Sequence, residues 1–392
     1  MRILTYALTL FLFAFFVNEL QAQSYNPDVP GIVINHSPAS TGKYIGSPSI
    51  VIMPDGDYVA SHDYFGPGGG RGSWNQTLVY RSTDKGKSWE HLTTIDNQWW
   101  STLFYHNNAL YLIGTYGRMN NAVIRKSEDG GKTWTNPTDK NNGLLAKGRY
   151  HCAPVPVLRH DGRLWRAMEY APQGREFEAF MMSVPVDANL LEADNWTFTN
   201  KIPYEEDWYD GRMRSWLEGN AVVTPDGEIV NILRCAFSDE NQGVAAIVRV
   251  NEKGTKASFD PENGFIRLPG GTGKKFTIRY DEKSQKYWSL VNWVQPKDID
   301  TRERNTVALV SSPDLKTWTI ERVVLHHPDP HHHAFQYLDW QFEGDDIIAV
   351  SRTAYDDGLG GAANYHDANF MTFHRIKHFR KSFNLDPGWK KE

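Results

Sequence analysis

Only two cysteines, Cys152 and Cys235, occur in 392 residues. That is too few to staple a fold of this size, and no Cys-x-x-Cys pair offers a metal site. Two buried free thiols are expected, with one disulfide as the alternative for an exported chain. The net charge of −5 supplies no basic face of the kind nucleic acid demands, so nucleic acid is excluded as a partner. After an apolar run from Ile3 to Val17, no second stretch approaches the roughly 20 residues of a membrane span, which argues against insertion in a bilayer. Met1-Arg2, that run, and Ala22 before Gln23 read as a secretory signal over residues 1–22, which places the mature chain in a periplasm or outside the cell. No cysteine follows the cut to carry a lipid anchor. Low-complexity sequence is confined to Pro67 to Gly72 and His326 to His333.

What is abundant is aromatic: 14 Trp, 18 Tyr and 19 Phe, punctuated by 32 Gly and 20 Pro, a composition that favours strands and tight turns. One unit recurs, an apolar β-rich run, a tight turn and a second apolar run. It is clearest around Asp55-Gly56, Asp161-Gly162 and Asp226-Gly227, and returns around Asn107-Asn108, Asp281 to Lys286 and Gly344-Asp345. A repeat of about 50 to 60 residues suits a four-stranded blade with its loops. The expectation is an all-β fold, one β-propeller of four-stranded antiparallel blades over residues 23–392. Six blades follow from the hairpin count, or seven if Val244 to Pro269 hides another, and Gly31 to His36 is placed to supply the outermost strand that closes the ring.

Between the hairpins, Ser82-Thr-Asp84-Lys-Gly86-Lys-Ser-Trp89 and Ser127-Glu-Asp129-Gly-Gly131-Lys-Thr-Trp134 share the pattern S-x-D-x-G-x-x-W, and Ser312-Pro-Asp314-Leu-Lys-Thr-Trp318 is a copy one residue short. The pattern is similar to the Asp box of sialidase-like propellers, the BNR repeat. There the Asp accepts backbone hydrogen bonds, the Gly permits positive φ and the Trp tucks between outer strands. Such a turn marks the fold and not an activity.

In a propeller, residues far from the hairpin turn line the ligand face. Thirteen residues before the turn glycine stand Lys43, Arg149 and Arg214, and Lys274 or Lys275 precedes the fifth hairpin in the same manner. Six residues after Gly56 stands His62, and Arg352 and Asn292 mark matching strand ends. Cations converging on a concave rim suit an anionic ligand, because Arg can contact a carboxylate through two nitrogens. Trp74, Trp99, Trp100, Trp216 and Trp293 fall near mouth loops or strand starts, where a sugar ring can stack. His62 is the leading histidine and His151, just after Arg149-Tyr150, the second. His106, His160, His374 and His378 read as structural. The histidines of the 326–333 loop fit no standard zinc spacing, and no metal site is assigned.

These residues allow several chemistries. A sialidase needs an arginine triad, and the Arg-Ile-Pro stretch usual near the first blade is replaced by Ser47-Pro48-Ser49. A uronate lyase needs a cation to neutralise the C6 carboxylate, a base for the C5 proton and an acid for the departing O4. In a glucuronate one histidine can do both proton transfers from one ring face. A non-catalytic glycan-binding propeller would keep the scaffold and the cations.

Tyr44-Ile-Gly-Ser-Pro-Ser-Ile50, Ala60-Ser-His62-Asp63, Arg149-Tyr-His151-Cys-Ala-Pro154, Trp216-Leu-Glu218-Gly-Asn220-Ala-Val222, Lys275-Phe-Thr-Ile-Arg279-Tyr280 and Asp339-Trp-Gln341 together resemble the L-rhamnose-α-1,4-D-glucuronate lyases, first described as α-L-rhamnosidases. The resemblance implies removal of terminal rhamnose from glucuronate in arabinogalactan or gum arabic side chains. It implies His62 as acid/base and Arg149 as the carboxylate-neutralising cation. Lys43, Tyr150, His151, Arg212, Arg214, Trp216, Glu218, Arg279 and Arg352 complete the expected substrate contacts. The partner is then an acidic plant-type polysaccharide, taken by a monomer with no required cofactor. Such propellers admit a structural calcium ion, although no calcium-loop pattern occurs.

Overall fold

The computed structural model describes residues 28–69, 74–174, 176–237, 243–294 and 303–381. The expected signal segment lies outside them. Among the described residues no helix is long and apolar enough to cross a membrane.

All six hairpins read from the turns form as antiparallel pairs. Ser49–Ile52 pairs with Tyr58–Phe65, Trp99–His106 with Ala109–Thr115, and Leu158–His160 with Arg163–Gln173. Met213–Val223 pairs with Ile229–Phe237, Thr277–Asp281 with Lys286–Asn292, and Ala334–Glu343 with Asp346–Ala354. Outer strands extend each hairpin into a propeller arrangement of antiparallel sheets.

The expectation of six or seven separate blades is corrected. Hydrogen bonding gives four separate blades of four or five strands and one sheet of eight. The eight-stranded sheet arises because Leu144–His151 pairs on one side with Asn120–Ser127 and on the other with Arg163–Gln173, so two hairpins share one ladder. Val244 to Pro269 hides no further blade, because Val244–Val250, Ala257–Ser258 and Phe265–Arg267 are outer strands of the Met213–Val223 sheet. The ring closes as anticipated: Ile32–His36 lies outermost on Phe370–Ile376.

Apolar layers fill the spaces between sheets. One cluster packs Tyr58, Ala60 and Tyr80 of the first blade on Val350, Met371 and Phe373 of the last. Across these layers polar clamps tie one inner strand to the next: Asp339 Oδ2 accepts Ser49 Oγ at 2.8 Å and Ile50 N at 3.0 Å, and Asn220 Oδ1 accepts Ile278 N at 3.0 Å. Both cysteines are buried and free.

At the hairpin-turn end the Asp boxes take the expected form. Asp84 Oδ1 accepts Ser82 Oγ, Lys87 N and Ser88 N at 2.8 to 3.0 Å. Asp129 repeats these bonds with Ser127, Lys132 and Thr133. The short copy keeps the bonds of Asp314 to Lys316 N and Thr317 N, and Leu315 adopts φ 67° after the Asp, as Lys85 and Gly130 do in the intact copies. The opposite end, where inner strands begin, is the mouth.

Candidate active site at the propeller mouth

A strand turns successive side chains to opposite faces, so a shift of one position decides which residue meets the mouth. Seven residues past the turn glycine, the second strand of three hairpins carries Asp63, Glu169 and Arg234, all ionisable and all buried. One residue earlier stand His62, Met168 and Leu233, each fully buried in the layers between sheets.

His62 is therefore corrected from mouth to interior. Its Nδ1 donates to Asp63 O at 2.9 Å and its Nε2 accepts from Asn35 Nδ2 at 2.9 Å. Its ring stacks on Tyr80 at 5.9 Å and meets Tyr64 edge-on at 4.9 Å. Burial pushes its pKa down to about 4. With both nitrogens engaged it has no lone pair to offer a substrate.

Strand alternation turns the neighbouring Asp63 to the opposite face, the side assigned to the mouth. Its Oδ1 accepts Ser47 N at 2.5 Å and its Oδ2 accepts Trp100 N, from the next inner strand, at 2.7 Å. Burial pushes its pKa up to about 6 against those two bonds. Glu169 repeats the arrangement: Oε1 accepts Gly219 N at 3.0 Å, while Oε2 lies 2.8 Å from His151 Nδ1. The Nδ1 proton thus points at Glu169 and leaves Nε2 as the basic nitrogen. Among the described residues Nε2 has no protein partner. Phe177 stacks on the ring at 4.6 Å, and the half-exposed Trp100 meets it edge-on at 4.4 Å.

Three inner strands bulge where they enter the mouth, and Trp100, Glu218 and Tyr337 take φ of 52°, 52° and 55° there. A left-handed residue with a side chain costs roughly 1–2 kcal/mol, a strain that gathers at functional sites. The bulge at Glu218 brings its carboxylate 3.1 Å from Arg234 Nε. The contact is not aligned as a hydrogen bond, so buried Glu218 Oε2 and Arg234 Nε and Nη1 stay unsatisfied. Tyr337 is flanked by cations, with Arg352 at 4.8 Å and Arg304 at 5.5 Å. Arg352 also lies 4.4 Å over Phe65, donates from Nε to His366 O at 3.1 Å, and is held by burial at about 10.

Of the expected contacts, His151, Glu218 and Arg352 lie buried at the end where the inner strands begin. Arg149 is exposed, two residues from His151 on the same strand, and its Nε donates to Ala171 O at 3.0 Å. Strand alternation puts it on the His151 side. Tyr150 points the other way and is corrected to a packing role against Tyr170 and Phe180. Trp216 is fully buried against Trp208 and Phe259, so it cannot stack on a sugar. Arg279 is a strut between sheets, with Nε on Trp340 O at 2.5 Å and Nη2 3.6 Å from Asp339.

The cations of the register each have a separate partner. Lys43 rests 4.0 Å over Trp74, and Arg214 donates to Gly211 O and Met213 O. Arg212 pairs with Asp210 at 3.3 Å. In the histidine-rich loop the His327 and His333 rings stack at 3.6 Å, and Asp329 holds His332 and His333 at 3.1 Å. No group of three or more His, Cys, Asp or Glu among the described residues is arranged to hold a metal ion.

No family model and no curated protein matches the chain. Solved structures do. A Dyadobacter fermentans protein of unknown function superposes with a TM-score of 0.60 at 13% identity, over 89% of this chain and 98% of that one. An α-L-arabinanase of Penicillium chrysogenum, complexed with arabinobiose, gives 0.54 at 16% identity over 90% and 99%. The sialidase of Trypanosoma rangeli gives 0.55 at 14% identity, over 87% of this chain and 55% of the other. What they share with this chain is the sialidase-like propeller fold.

Asp63, Glu169, Arg234, Arg304 and Tyr337 were missed by sequence reasoning. A count of seven past the turn glycine would have found the first three, because that register too is ionisable in all three repeats.

Proposed function

We propose that this chain is a carbohydrate-cleaving enzyme acting on an acidic glycan at the propeller mouth, with His151 as the proton-transfer group. The observation that carries the reading is the His151–Glu169 pair: a buried carboxylate fixes the tautomer, and the His151 ring lies against Trp100, an aromatic surface for a sugar ring. Arg149, on the same side of the strand, is the carboxylate contact. His151 then takes the acid/base part first expected of His62. It removes the C5 proton of a 4-linked glucuronate and returns a proton to O4, releasing terminal L-rhamnose from an arabinogalactan or gum arabic side chain.

A hydrolytic reading rests on Asp63. A mouth carboxyl pushed up to about 6 by burial suits a general acid that protonates a leaving glycosidic oxygen. The structural neighbours named for arabinanase and sialidase activity cleave glycosides.

Incubation with rhamnose-capped glucuronides separates the readings. An unsaturated uronate, seen by its ultraviolet absorbance, together with free rhamnose means elimination. Rhamnose with a saturated glucuronate means hydrolysis and moves the chemistry to Asp63. Retention on the polymer without release of either sugar sinks the enzymatic proposal in favour of a binding propeller.

A further inference from the structure

The histidine-rich loop 327–333 lies against loop 355–369, and His333 stands between a carboxylate of each. Its Nδ1 is 3.1 Å from Asp329 Oδ2 on its own loop, and its Nε2 is 3.3 Å from Asp356 Oδ2 on the other. The side chain is only 6% exposed. The Nε2 contact is not aligned as a hydrogen bond, so that buried nitrogen is unsatisfied. A neutral imidazole has one N–H and would turn a lone pair towards one of the two carboxylates. Only the imidazolium can donate to both.

The groups around His333 leave room for one such charge. The His327 ring stacks on it at 3.6 Å, too close for two imidazolium rings, and His327 Nδ1 accepts Asp329 N at 3.1 Å. Burial, and then His333, push the His327 pKa down. Asp329, which burial would raise, is held at about 2 by His331 N and by His332 and His333, so it stays ionised. Tyr355 meets the His333 ring edge-on at 4.8 Å, and burial, with Asp356 and Asp28, pushes its phenol up, so it stays uncharged.

Loop 355–369 also bears on Arg304 and Arg352. It is tied to the histidine-rich loop a second time, where Tyr365 N donates to His331 O at 2.7 Å. Tyr365 O accepts Gln336 Nε2 at 2.6 Å, and Gln336 Oε1 accepts Arg304 Nη1. His366 O accepts Arg352 Nε at 3.1 Å and Arg352 Nη2 as well. Two backbone oxygens of this loop thus set the two cations that flank Tyr337.

We propose that His333 is a positioning residue and a proton-operated latch: with both ring nitrogens protonated it clamps Asp329 to Asp356, and so holds the loop that orients Arg304 and Arg352. The clamp is complete at low pH and is lost as the pH rises through the imidazole titration. It rests on these contacts alone, whatever chemistry the mouth performs.

Hydrogen exchange on the whole chain tests the latch, read on peptides covering 355–366 and corrected for the intrinsic rate at each pH. Between pH 8 and pH 5, the range in which histidine changes charge, exchange there is expected to slow about tenfold, the size of one hydrogen bond to a charged group. His333→Gln and Asp356→Asn are expected to flatten that response. His366, held at about 4 by Arg352 and by burial, stays neutral over most of the range. His36 is the other histidine on this loop, with Nε2 3.0 Å from Asp357, and His36→Gln is expected to keep the response. The proposal is overturned by protection that does not vary with pH, by an unchanged response in His333→Gln, or by a response that disappears in His36→Gln. If His333→Gln does not fold, Asp356→Asn decides, because that side chain is 65% exposed and its loss leaves no buried gap.

Discussion

The two ends of the propeller are built on opposite principles. At the Asp-box end every partner of Asp84 lies within four residues of it, and Asp129 repeats the same bonds in the same order. At the mouth, Asp63 reaches partners 16 and 37 residues away, and Glu169 partners 18 and 50 away. Local partners must recur wherever the turn recurs, so they leave a motif. Distant partners are set by how neighbouring sheets pack, so equivalent positions carry Asp63, Glu169 and Arg234 without a shared pattern. The carboxylates of the Asp boxes are fully bonded, although Trp89 Nε1 of the first box is not, whereas Glu218 and Arg234 at the mouth are buried and incompletely bonded. Unfinished bonding at the strained end is what a ligand can complete.

The largest effect expected is on turnover. His151→Ala should lower kcat on an acidic glycan by about a thousandfold, the usual contribution of a general acid or base, while Tm stays within a few degrees of the parent. Steady-state kinetics beside a thermal melt would check it, and unchanged turnover removes His151 from the chemistry.

Gly86→Ala should do the reverse. Gly86 adopts φ +85°, and an added Cβ would lie 2.3 Å from the Phe373 ring on Phe370–Ile376, the strand to which the closing strand is bonded. Overpacking together with backbone strain should cost about 3 kcal/mol, with kcat unaltered at a temperature where the variant is folded. Chemical denaturation measures the loss. A stability unchanged within error would mean that Phe370–Ile376 is not coupled to the first Asp box.

These two variants also mark how far the sequence could be read. The Asp boxes, the six hairpins and the closing strand were legible because turn chemistry and alternation are local properties. The mouth was half legible. Arg149, His151, Glu218 and Arg352 were picked out, but His62 was preferred to Asp63, and the period of two in a strand turned that single step into the difference between interior and mouth. Tyr150 and Trp216 failed for the same reason, since an aromatic at a strand start looks alike whether it packs inward or faces a ligand. The bulges at Trp100, Glu218 and Tyr337 left no trace in composition, because none of the three is the glycine that a left-handed position ordinarily attracts. Sharing of Leu144–His151 between two hairpins was equally invisible, as pairing partners far apart in sequence carry no local mark.

A smaller effect would sharpen the pairing of His151 with Glu169. Glu169→Gln keeps the shape but replaces a carboxylate that holds the Nδ1 proton, so kcat should fall about a hundredfold with KM little changed. The pH–rate profile should move as well, which a purely structural role for Glu169 would not require. An unshifted profile assigns Glu169 to holding Gly219 alone.

The smallest effect lies in acid stability, and it tests whether His62 is an interior residue. Its folded pKa, about 4, is below the ordinary 6.5, so between these values the unfolded chain binds the extra proton. Stability is therefore unaffected by this group above pH 6.5 and falls as the pH drops through that window, by about 2 kcal/mol at pH 5. His374, also held at about 4 by burial, contributes to the same acid limb, whereas Asp63, raised to about 6, works against it. His62→Gln should lose stability at neutral pH, because the Asn35 and Asp63 bonds are disturbed, yet its stability should decline less steeply from pH 6.5 to 4 than that of the parent. Denaturant melts across that range give the slope directly. Equal slopes would mean that His62 titrates as an exposed histidine does, and would return it to the mouth.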